Sequence, residues 1–467
     1  MSKLYIGGKM KIIAKIKNDY EGVNDLNISI IKSITLVYLE SICSSDKINN
    51  YILDNINDNK HFFKNITGPN HVVINLDNYQ DYLNNGYLLI IYKNNIHAIE
   101  VKENNFRNIN TPETQISYNG PKDSFNENYL TNLSLIKKRL KTNKLKSVDH
   151  YIGRYTKTLT SILYVDGITK YENVNKVNNL IKDIDIDGIL DSSYIAEYLE
   201  KNDKSTFAPR SFKTERPDYV CNALLNGKIV IIVDNSPNAL ILPAFLLDFI
   251  NPPLDNYSKP ILINSIKALR IMAFLITLTL PAFYIALTNF NQETIPLNLL
   301  LSLSTARSSV PFPSIFEALI MLFIYELLRE SDIHFPKNFG SANSILGALI
   351  LGEASVKAGI VSPIMIIIIA VTFISSLIFS DIDFINAIRH YRLLFLISAA
   401  TLGLFGIMIT YFYFITRVCL VSSIDYPYTI PLVPFDRNYF NNVFHRINIF
   451  KNKHRSKNLS NNYIKER

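Results

Sequence analysis

Apolar residues are unevenly distributed along this chain: they are sparse before about residue 225 and crowded between 229 and 421. In the polar part, short β-type runs alternate with helical stretches, which is typical of a mixed α/β domain. In the apolar part, several runs approach or exceed the roughly 20 residues that a helix needs to cross a bilayer. The pattern therefore predicts an α/β region followed by an all-α, multi-pass membrane domain.

The α/β region repeats one order of elements. Each copy has a β run, a helical stretch and a hairpin-like pair, at 28–40, 46–58 and 87–101 in the first copy and at 160–168, 176–184 and 227–242 in the second. Asn94 and Asn95 in one hairpin, and Asn235 in the other, tolerate the backbone that tight turns need. Two similar α/β subdomains follow from this repetition.

These patterns set the predicted domain boundaries. We expect a first cytoplasmic α/β subdomain at 1–120, a connecting amphipathic helix at 121–149, and a second cytoplasmic α/β subdomain at 150–260. A membrane domain with four to five spans follows at 261–421, and a basic C-terminal tail at 422–467. The opening residues lack the apolar core and cleavage site of a secretory signal, which favours a cytoplasmic N-terminal region.

Three apolar stretches, 271–288, 361–380 and 393–416, are predicted to span the membrane. Lys267 and Arg270 lie just before the first of them. Because basic residues are retained on the cytoplasmic side, this arrangement also places the preceding α/β region in the cytoplasm.

Charged residues interrupt the apolar pattern at 312–330, which contains Glu317, Glu326 and Arg329. A charged side chain at mid-membrane costs about 2.5–3.5 kcal/mol on insertion scales, so these residues must face protein, water or the interface. Two interpretations stay open: the stretch lines an ion pathway, or it is an amphipathic helix at the membrane surface.

The next stretch, 344–360, combines small and charged residues. Candidates for close helix packing or pore lining are Gly347, Gly352, Glu353, Lys357 and Gly359. Small residues permit close helix contact, and the two charges stand four apart on one helix face. If 312–330 spans and 344–360 is re-entrant, there are four spans and the tail is cytoplasmic. If every apolar stretch is counted as a span, there are five spans and the tail lies outside.

The turn formed by Pro311, Phe312 and Pro313 is a candidate element for coupling between helices. It lies at the start of the charged stretch, and its two prolines restrict the backbone on either side of an aromatic residue.

One acidic pattern imitates a metal site. Asp183, Asp185, Asp187 and Gly188 match the first half of a calcium-binding loop, but Tyr194 occupies the position where a bidentate glutamate should complete it. We therefore expect no metal and interpret the aspartates as caps of the helix that begins near residue 192. No cofactor is expected either, and the apolar half contains neither an HExxH nor a GxSxG motif, so we expect no enzyme.

Charge and cysteine content narrow the function classes further. The net charge of +8 has much of its excess in the C-terminal tail. Basic residues just after an apolar run are typical of contact with anionic lipid, and we expect no nucleic-acid partner. The three cysteines are far apart and form no CxxC pair, so neither a disulfide framework nor a zinc site is predicted.

Several long blocks, in order, resemble one known family. They are GPKDSFNENYLTNLSLIKKRL, IDIDGILDSSYI, TERPDYVCNALLNGKIVIIVDNSPNALILP, VPFPSIFEALIM, ELLRE, LGALILGEASVKAGIVSPIM and YPYTIPLVPFD. Over roughly residues 28–437 the chain resembles the A subunits of GerA-type spore germination receptors. Glu353 departs from that pattern, since the family often has Gln there.

The resemblance implies a protein of the spore inner membrane that works with a transporter-like B subunit and a lipoprotein C subunit. It further implies a homo-oligomeric component of a nutrient-gated ion channel that triggers germination. A secondary transporter is the alternative, although the membrane half shows no inverted repeat. A second alternative function is that of a membrane-anchored signalling scaffold.

Overall fold

The computed structural model describes residues 2–31, 34–56, 71–92, 95–102, 111–112, 114–115, 120–200, 208–251, 257–334, 352–444, 454–462 and 464–465. Within these ranges the chain forms an N-terminal α/β region with two sheets, followed by a helical region.

The first sheet has five antiparallel strands in the order β1-β2-β4-β5-β3. This unit begins with the N-terminal helix α1 Ser2–Asp19. Its other elements are β1 Leu26–Ile31, β2 Ile34–Leu39, α2 Ser45–Ile56, β3 His71–Ile74, α3 Tyr79–Asn84, β4 Tyr87–Tyr92 and β5 Asn95–Glu100. The sequence predicts a single β run at 28–40. The structure instead divides that run into two strands that pair with each other as a hairpin.

The second sheet repeats this topology in the order β6-β7-β9-β10-β8. Its elements are α4 Tyr129–Arg139, β6 Leu145–Ile152, β7 Thr158–Val165, α5 Tyr171–Lys182, α6 Ser192–Leu199, β8 Phe212–Thr214, α7 Pro217–Leu225, β9 Ile229–Val233, β10 Ala239–Leu242 and α8 Leu246–Ile250. The identical strand order confirms two similar α/β units. Strand β6 crosses the predicted boundary between the connecting segment and the second subdomain.

The central strand β9 is buried on both faces, as its unbroken apolar sequence indicates. Ile229, Ile231 and Val233 join one apolar core with α5 and α6, whereas Val230 and Ile232 join another with α4 and α7. Successive side chains of a strand point to opposite faces, so one strand supplies both cores. The second of these cores continues into the helical region, which ties the two parts of the chain together.

Two buried ion pairs connect the α/β units to the segments around them. Lys137 of α4 pairs with Asp25 of the first unit, and their side chains are only 8% and 6% exposed. Arg216 is fully buried and donates two hydrogen bonds of 3.0 Å to the carboxylate of Asp218. The same guanidinium donates to the carbonyl of Pro121 at 2.9 Å. These bonds compensate the large cost of burying charge.

The helical region consists of α9 Pro260–Asn289, α10 Leu297–Arg307, α11 Ser314–His334, α12 352–357, α13 Pro363–Ser376 and α14 Ile382–Leu420. Among the described residues, two helices have the length and apolar composition to cross a membrane: α9, with a mean hydropathy of 2.0, and α14, with 2.3. The apolar helix α13 is shorter, at 14 residues. Whether the region makes four or five crossings stays a prediction.

Helix α14 is folded back on itself at Gly403, where the backbone adopts φ 62° and ψ −140°. The rings of Tyr391 and Phe414 lie 4.9 Å apart, and Thr410 donates a hydrogen bond of 2.7 Å to Ser398. The sequence predicts one membrane span over 393–416. The structure has two antiparallel arms, because only glycine adopts such a backbone without strain.

The helical region has two ends, which we name by their distance from the α/β region. At the near end, the ring of Phe384 stacks on Phe249 of α8 at 5.3 Å and lies 6.1 Å from Phe274 of α9. At the far end, Gly403 approaches Phe290 so closely that an added Cβ would lie 2.9 Å from it. Helix α9 and the first arm of α14 therefore run from the near end to the far end.

The C-terminal tail returns to the second α/β unit. It contains β11 Ser422–Ser423, β12 Tyr426–Pro427 and α15 Arg437–Phe444. Arg455 donates to the carbonyl of Leu225 at 2.7 Å, and the amide of Asn461 donates to the carbonyl of Ile168 at 2.9 Å. The described part of the tail therefore lies on the same side of the helical region as the α/β units.

Candidate functional site

Two clusters of charged residues lie within the helical region, one near each end. Both are built around a glutamate of α11, Glu317 at the far end and Glu326 at the near end. Nine residues of α-helix separate these two positions by about 13 Å. The clusters bring together residues from α10, α11, α13 and α14.

Glu317 is fully buried at the far end. Its Oε2 accepts a hydrogen bond of 2.9 Å from the backbone amide of Ser362, and its Oε1 lies 3.6 Å from Nε of Arg307. The start of α11 is fixed beside it, because Ser314 donates to the side chain of Asn289 at 3.1 Å. In a single chain, Glu317 therefore neither faces water at an exposed surface nor lines an open path.

The position of Glu317 suits a buried carboxylate. It lies in the first turn of its own helix, and Ser362, whose amide it binds, is the N-cap of α13. Helix N-termini carry partial positive charge from aligned peptide dipoles and unpaired amides, which stabilises anions. The carboxylate thus lies beside the N-termini of α11 and α13 and beside Arg307 of α10. Glu317 therefore connects three helices at the far end.

Glu326 forms the second cluster at the near end. Its carboxylate makes ion pairs with Arg329 at 2.9 Å and with Arg389 of α14. Both arginines also donate to the side-chain oxygen of Asn386, Arg329 at 3.3 Å. Arg392, one turn further along α14, lines the same small cavity and is 5% exposed. This cluster ties α11 to the first arm of α14.

Asn386 also faces a second cavity, of about 340 Å³, between α14 and the second α/β unit. On its wall, Lys213 of β8 makes an ion pair of 2.7 Å with Asp383 of α14. Glu200 lines it too, and burial raises the pKa of that carboxyl above its usual value although the amide of Arg210 donates to it. The α/β region and the charged cluster of Glu326 are therefore connected through one turn of α14.

Asp381, the N-cap of α14, lies beside this interface. Its carboxylate accepts a hydrogen bond of 2.8 Å from the amide of Phe384. Burial raises the pKa of Asp381 to about 6, and the charge of Asp383 adds to the increase, while the bond from Phe384 lowers it only in part. The carboxyl is thus protonated over a range in which an ordinary aspartate is ionised.

The other predicted pore or packing residues lie outside both clusters. Glu353 and Lys357 form an exposed ion pair of 2.6 Å on α12, with 61% and 75% of their side chains accessible. No atom of the described residues lies within 4 Å of where a side chain at Gly352 would begin. Gly359, at φ +65°, ends this helix so close to the carbonyl of Ser309 that an added Cβ would lie 2.8 Å from it. Gly347 lies outside the described residues.

The predicted coupling turn is exposed. Pro311, Phe312 and Pro313 connect α10 to α11, and each has an accessible side chain. The turn stands between Arg307 and Glu317, which are themselves in contact. Its proposed role in coupling stays a prediction.

The acidic loop has structural roles. Asp183 ends α5, and Asp185 forms an exposed ion pair of 2.6 Å with Arg154. The carbonyl of Asp187 accepts from the amide of Tyr155 at 2.9 Å. The helix cap expected here is provided by a later aspartate of the same loop, Asp191, which accepts a hydrogen bond of 2.9 Å from the amide of Ser193.

Sequence reasoning identified both glutamates and Arg329, but it missed the residues that surround them. These are Arg307, Ser362, Asn386, Arg389 and Arg392. A signal was present for the arginines, because each stands at the edge of an apolar run. Ser362 precedes Pro363, a pattern that is typical of a helix N-cap followed by proline at the first helical position.

The fold joins a duplicated α/β region to a helical region that has paired internal charges and, among the described residues, two helices long and apolar enough to cross a membrane. A family model described as Bacillus/Clostridium GerA spore germination protein matches residues 11–458. The chain belongs to this family.

Two curated relatives are similar over most of the chain. Spore germination protein KA of Bacillus subtilis (strain 168) is 38% identical over 356 residues, which are 76% of this chain and 65% of that protein. Spore germination protein GerQA of Bacillus cereus is 35% identical over 363 residues, 77% of this chain and 72% of that protein. The chain thus spans about two thirds of the length of these relatives.

One solved structure is also similar. It is the crystal structure of the N-terminal domain of the A subunit of the Bacillus megaterium spore germinant receptor GerK3, at 27% identity and a TM-score of 0.38. The match covers 50% of this chain and 94% of that one.

We predict that Glu317→Gln lowers the free energy of unfolding by about 1–3 kcal/mol, because a charge-assisted hydrogen bond is lost in a buried site. The matched control is Glu353→Gln, which breaks an exposed pair and should cost about 0.5 kcal/mol or less. Denaturant unfolding of the detergent-solubilised protein, followed by circular dichroism, measures both. If the two variants lose the same free energy of unfolding, Glu317 does not stabilise the helical region more than an exposed ion pair does.

Asp381 gives a pH-dependent prediction. Its pKa of about 6 lies above the value of 3.8 for an ordinary aspartate, so between these values the folded state binds more protons than the unfolded state. The free energy of unfolding therefore falls as pH rises from about 4 to 6. Asp381→Asn should remove this loss and make the protein more stable at pH 7, since asparagine also caps helices.

Asp191 provides a control of opposite sign. Burial raises the pKa of this helix cap, but the hydrogen bonds from Ser236 and Ser193 outweigh burial and lower it overall. Its contribution is present at neutral pH and is lost as the pH falls below about 4. Asp191→Asn should therefore destabilise the protein at pH 7. Thermal unfolding at pH 4, 5.5 and 7 compares the two variants. If the melting temperatures of both variants change with pH in the same way, the opposite pKa shifts of Asp381 and Asp191 are refuted.

Proposed function

We propose that this chain is the A subunit of a nutrient germinant receptor, a multi-pass membrane protein whose α/β region and tail are cytoplasmic. Its family membership supports the receptor role, since relatives are named spore germination proteins. The subunit would receive a signal in its α/β region and pass it to the helical region. The observation that carries this proposal is the direct ionic connection between the two regions at the start of α14.

The cytoplasmic orientation rests on charge and on chain geometry. Most basic residues of the described helical region lie toward its near end, whereas Arg307 lies at the far end beside Glu317. The near-end residues are Lys267, Arg270, Arg329, Arg389, Arg392 and Arg417. Basic residues next to spans are retained in the cytoplasm. The tail contacts the α/β region, so an even number of crossings is favoured. The four-span count predicted from the sequence is also even, but it treats 393–416 as one crossing, whereas α14 forms two arms there.

Cys419 tests this orientation. It lies at the end of the second arm of α14 and is exposed, whereas Cys43 and Cys221 are buried. A membrane-impermeant maleimide should therefore label the protein in inside-out vesicles and leave it unlabelled in intact cells. Cys419→Ser is the control that should abolish labelling. Labelling in intact cells would place this end of the helix outside and contradict the orientation.

A physical route leads from the α/β region to the interior charges. Lys213 holds Asp383, and Asn386, one turn along α14, accepts hydrogen bonds from Arg329 and Arg389. A shift of β8 would move this turn and with it the pairing of Glu326. We therefore propose that α14 couples the two regions. Proximity alone does not establish coupling, so the effects of single and paired substitutions must be compared.

A charge exchange tests the coupling. Lys213→Asp and Asp383→Lys should each slow the response to nutrients by about fivefold, which corresponds to the roughly 1 kcal/mol that such a pair contributes. The double exchange restores the pair and should recover most of the response. The assay is the loss of optical density by spores that carry each variant as their sole copy of the gene.

The control for this exchange is the exposed pair of Arg154 and Asp185, which lies within one α/β unit. Reversing it should leave germination unchanged. A double exchange at Lys213 and Asp383 that is as slow as the single variants, despite normal protein levels in the spore membrane, would exclude the coupling role.

The finer role that we propose is a non-catalytic component of an oligomeric, nutrient-gated ion channel, in complex with the B and C subunits. Large exposed apolar side chains on α14, such as Phe405 at 66% and Phe412 at 70%, support contact with lipid or other subunits. The mass of the detergent-solubilised protein, together with conductance in planar bilayers, tests this. A strictly monomeric, non-conducting protein would favour the transporter or scaffold alternatives.

A further inference from the structure

The cavity beside Glu326 has an unusual balance of charge. Three guanidinium groups line it, from Arg329, Arg389 and Arg392, and among the described residues that line it Glu326 is the one carboxylate. Arginine stays protonated in proteins, so all three charges are permanent. The cavity therefore carries two positive charges more than its own carboxylate can neutralise.

The hydrogen bonding of these arginines is also incomplete. The Nε atoms of Arg329, Arg389 and Arg392 are buried, and none has a hydrogen-bond partner within the described part of the chain. Arg392 is the most enclosed, at 5% exposure, and it lines the cavity between α11 and α14. A buried donor without an acceptor costs about 1–3 kcal/mol, and more when it is charged. An anion with several oxygens would satisfy both the charge and the donors.

We propose that this cavity is a binding site for a phosphate-type anion. The planar fork of arginine matches the oxygens of phosphate, and clusters of arginine are a common means of binding it. The cavity itself is about 10 Å³, room for roughly one water-sized atom. One phosphate oxygen would enter it, and the rest of the group would remain at the mouth, where Arg389 is 25% exposed.

The position of the site agrees with this chemistry. Thr277 of α9 and Phe379 line the cavity, so it lies about one turn from the near-end aromatic contacts. Basic pockets between membrane helices at the cytoplasmic surface bind the headgroups of anionic lipids. A lipid phosphate and a free phosphate share the same recognition, and experiment distinguishes them. The cytoplasmic position of the site rests on the proposed orientation, whereas the recognition of phosphate by these arginines does not depend on the role in germination.

The test uses the full-length protein and measures its melting temperature by circular dichroism. In one arm, inorganic phosphate is titrated against the protein in neutral detergent. In the other, nanodiscs of phosphatidylglycerol are compared with nanodiscs of phosphatidylcholine. We expect stabilisation in at least one arm: an effect of phosphatidylglycerol alone identifies a headgroup site, and an effect of inorganic phosphate identifies a site open to free anions.

Variants assign the effect to the cavity. Arg392→Gln should weaken the apparent affinity for the stabilising anion by about tenfold or more, since a charge-assisted bond is lost. Arg417→Gln is the matched control, because this near-end arginine lies over the ring of Tyr413 and outside the cavity. If Arg392→Gln does not fold, Arg389→Gln replaces it. The proposal is overturned if the wild-type protein responds to neither probe, or if the cavity variants respond as strongly as Arg417→Gln.

Discussion

A charged side chain inside an apolar helix bundle must find its partners within the bundle, and this requirement determines how these helices meet. An unpaired buried carboxylate would cost several kcal/mol, which is comparable to the whole stability of a domain. Glu317 reduces that cost through the hydrogen bond from Ser362 and the nearby charge of Arg307, although its Oε1 has no hydrogen-bond partner among the described residues. Glu326 is paired with arginines of α11 and α14. Removing either carboxylate would leave positive charge without its partner.

The same pairing connects the helices to the α/β region. The cluster around Glu326 includes Asn386, which stands one turn from the ion pair between Lys213 and Asp383. Because α14 folds back at Gly403, both of its ends lie near the α/β region, and the tail can pack against the second unit. A movement in the α/β region would therefore act on α14 at its start and at its end. This geometry suits a receptor subunit that converts an event in one region into a change in the other.

The sequence predicted the features that depend on local pattern. The hairpin of β9 and β10 follows from its apolar strands and from Asn235, which adopts a left-handed backbone at φ 65°. The position of α4 follows from its apolar spacing, and the charged helix α11 from its isolated glutamates. Features that depend on distant residues were missed. An apolar run of 24 residues indicates one span, and nothing local shows that Gly403 reverses it.

The partners of the glutamates were missed for the same reason, since Arg389 is 63 positions away from Glu326. The most direct test of the account is a double-mutant cycle between these two residues. It compares the unfolding free energies of Glu326→Gln, Arg389→Gln and the double variant in detergent. We predict a coupling energy of about 1–3 kcal/mol, because the charges interact in a partly buried site. Additive effects, within about 0.5 kcal/mol, would contradict the claim that paired internal charges hold α11 against α14.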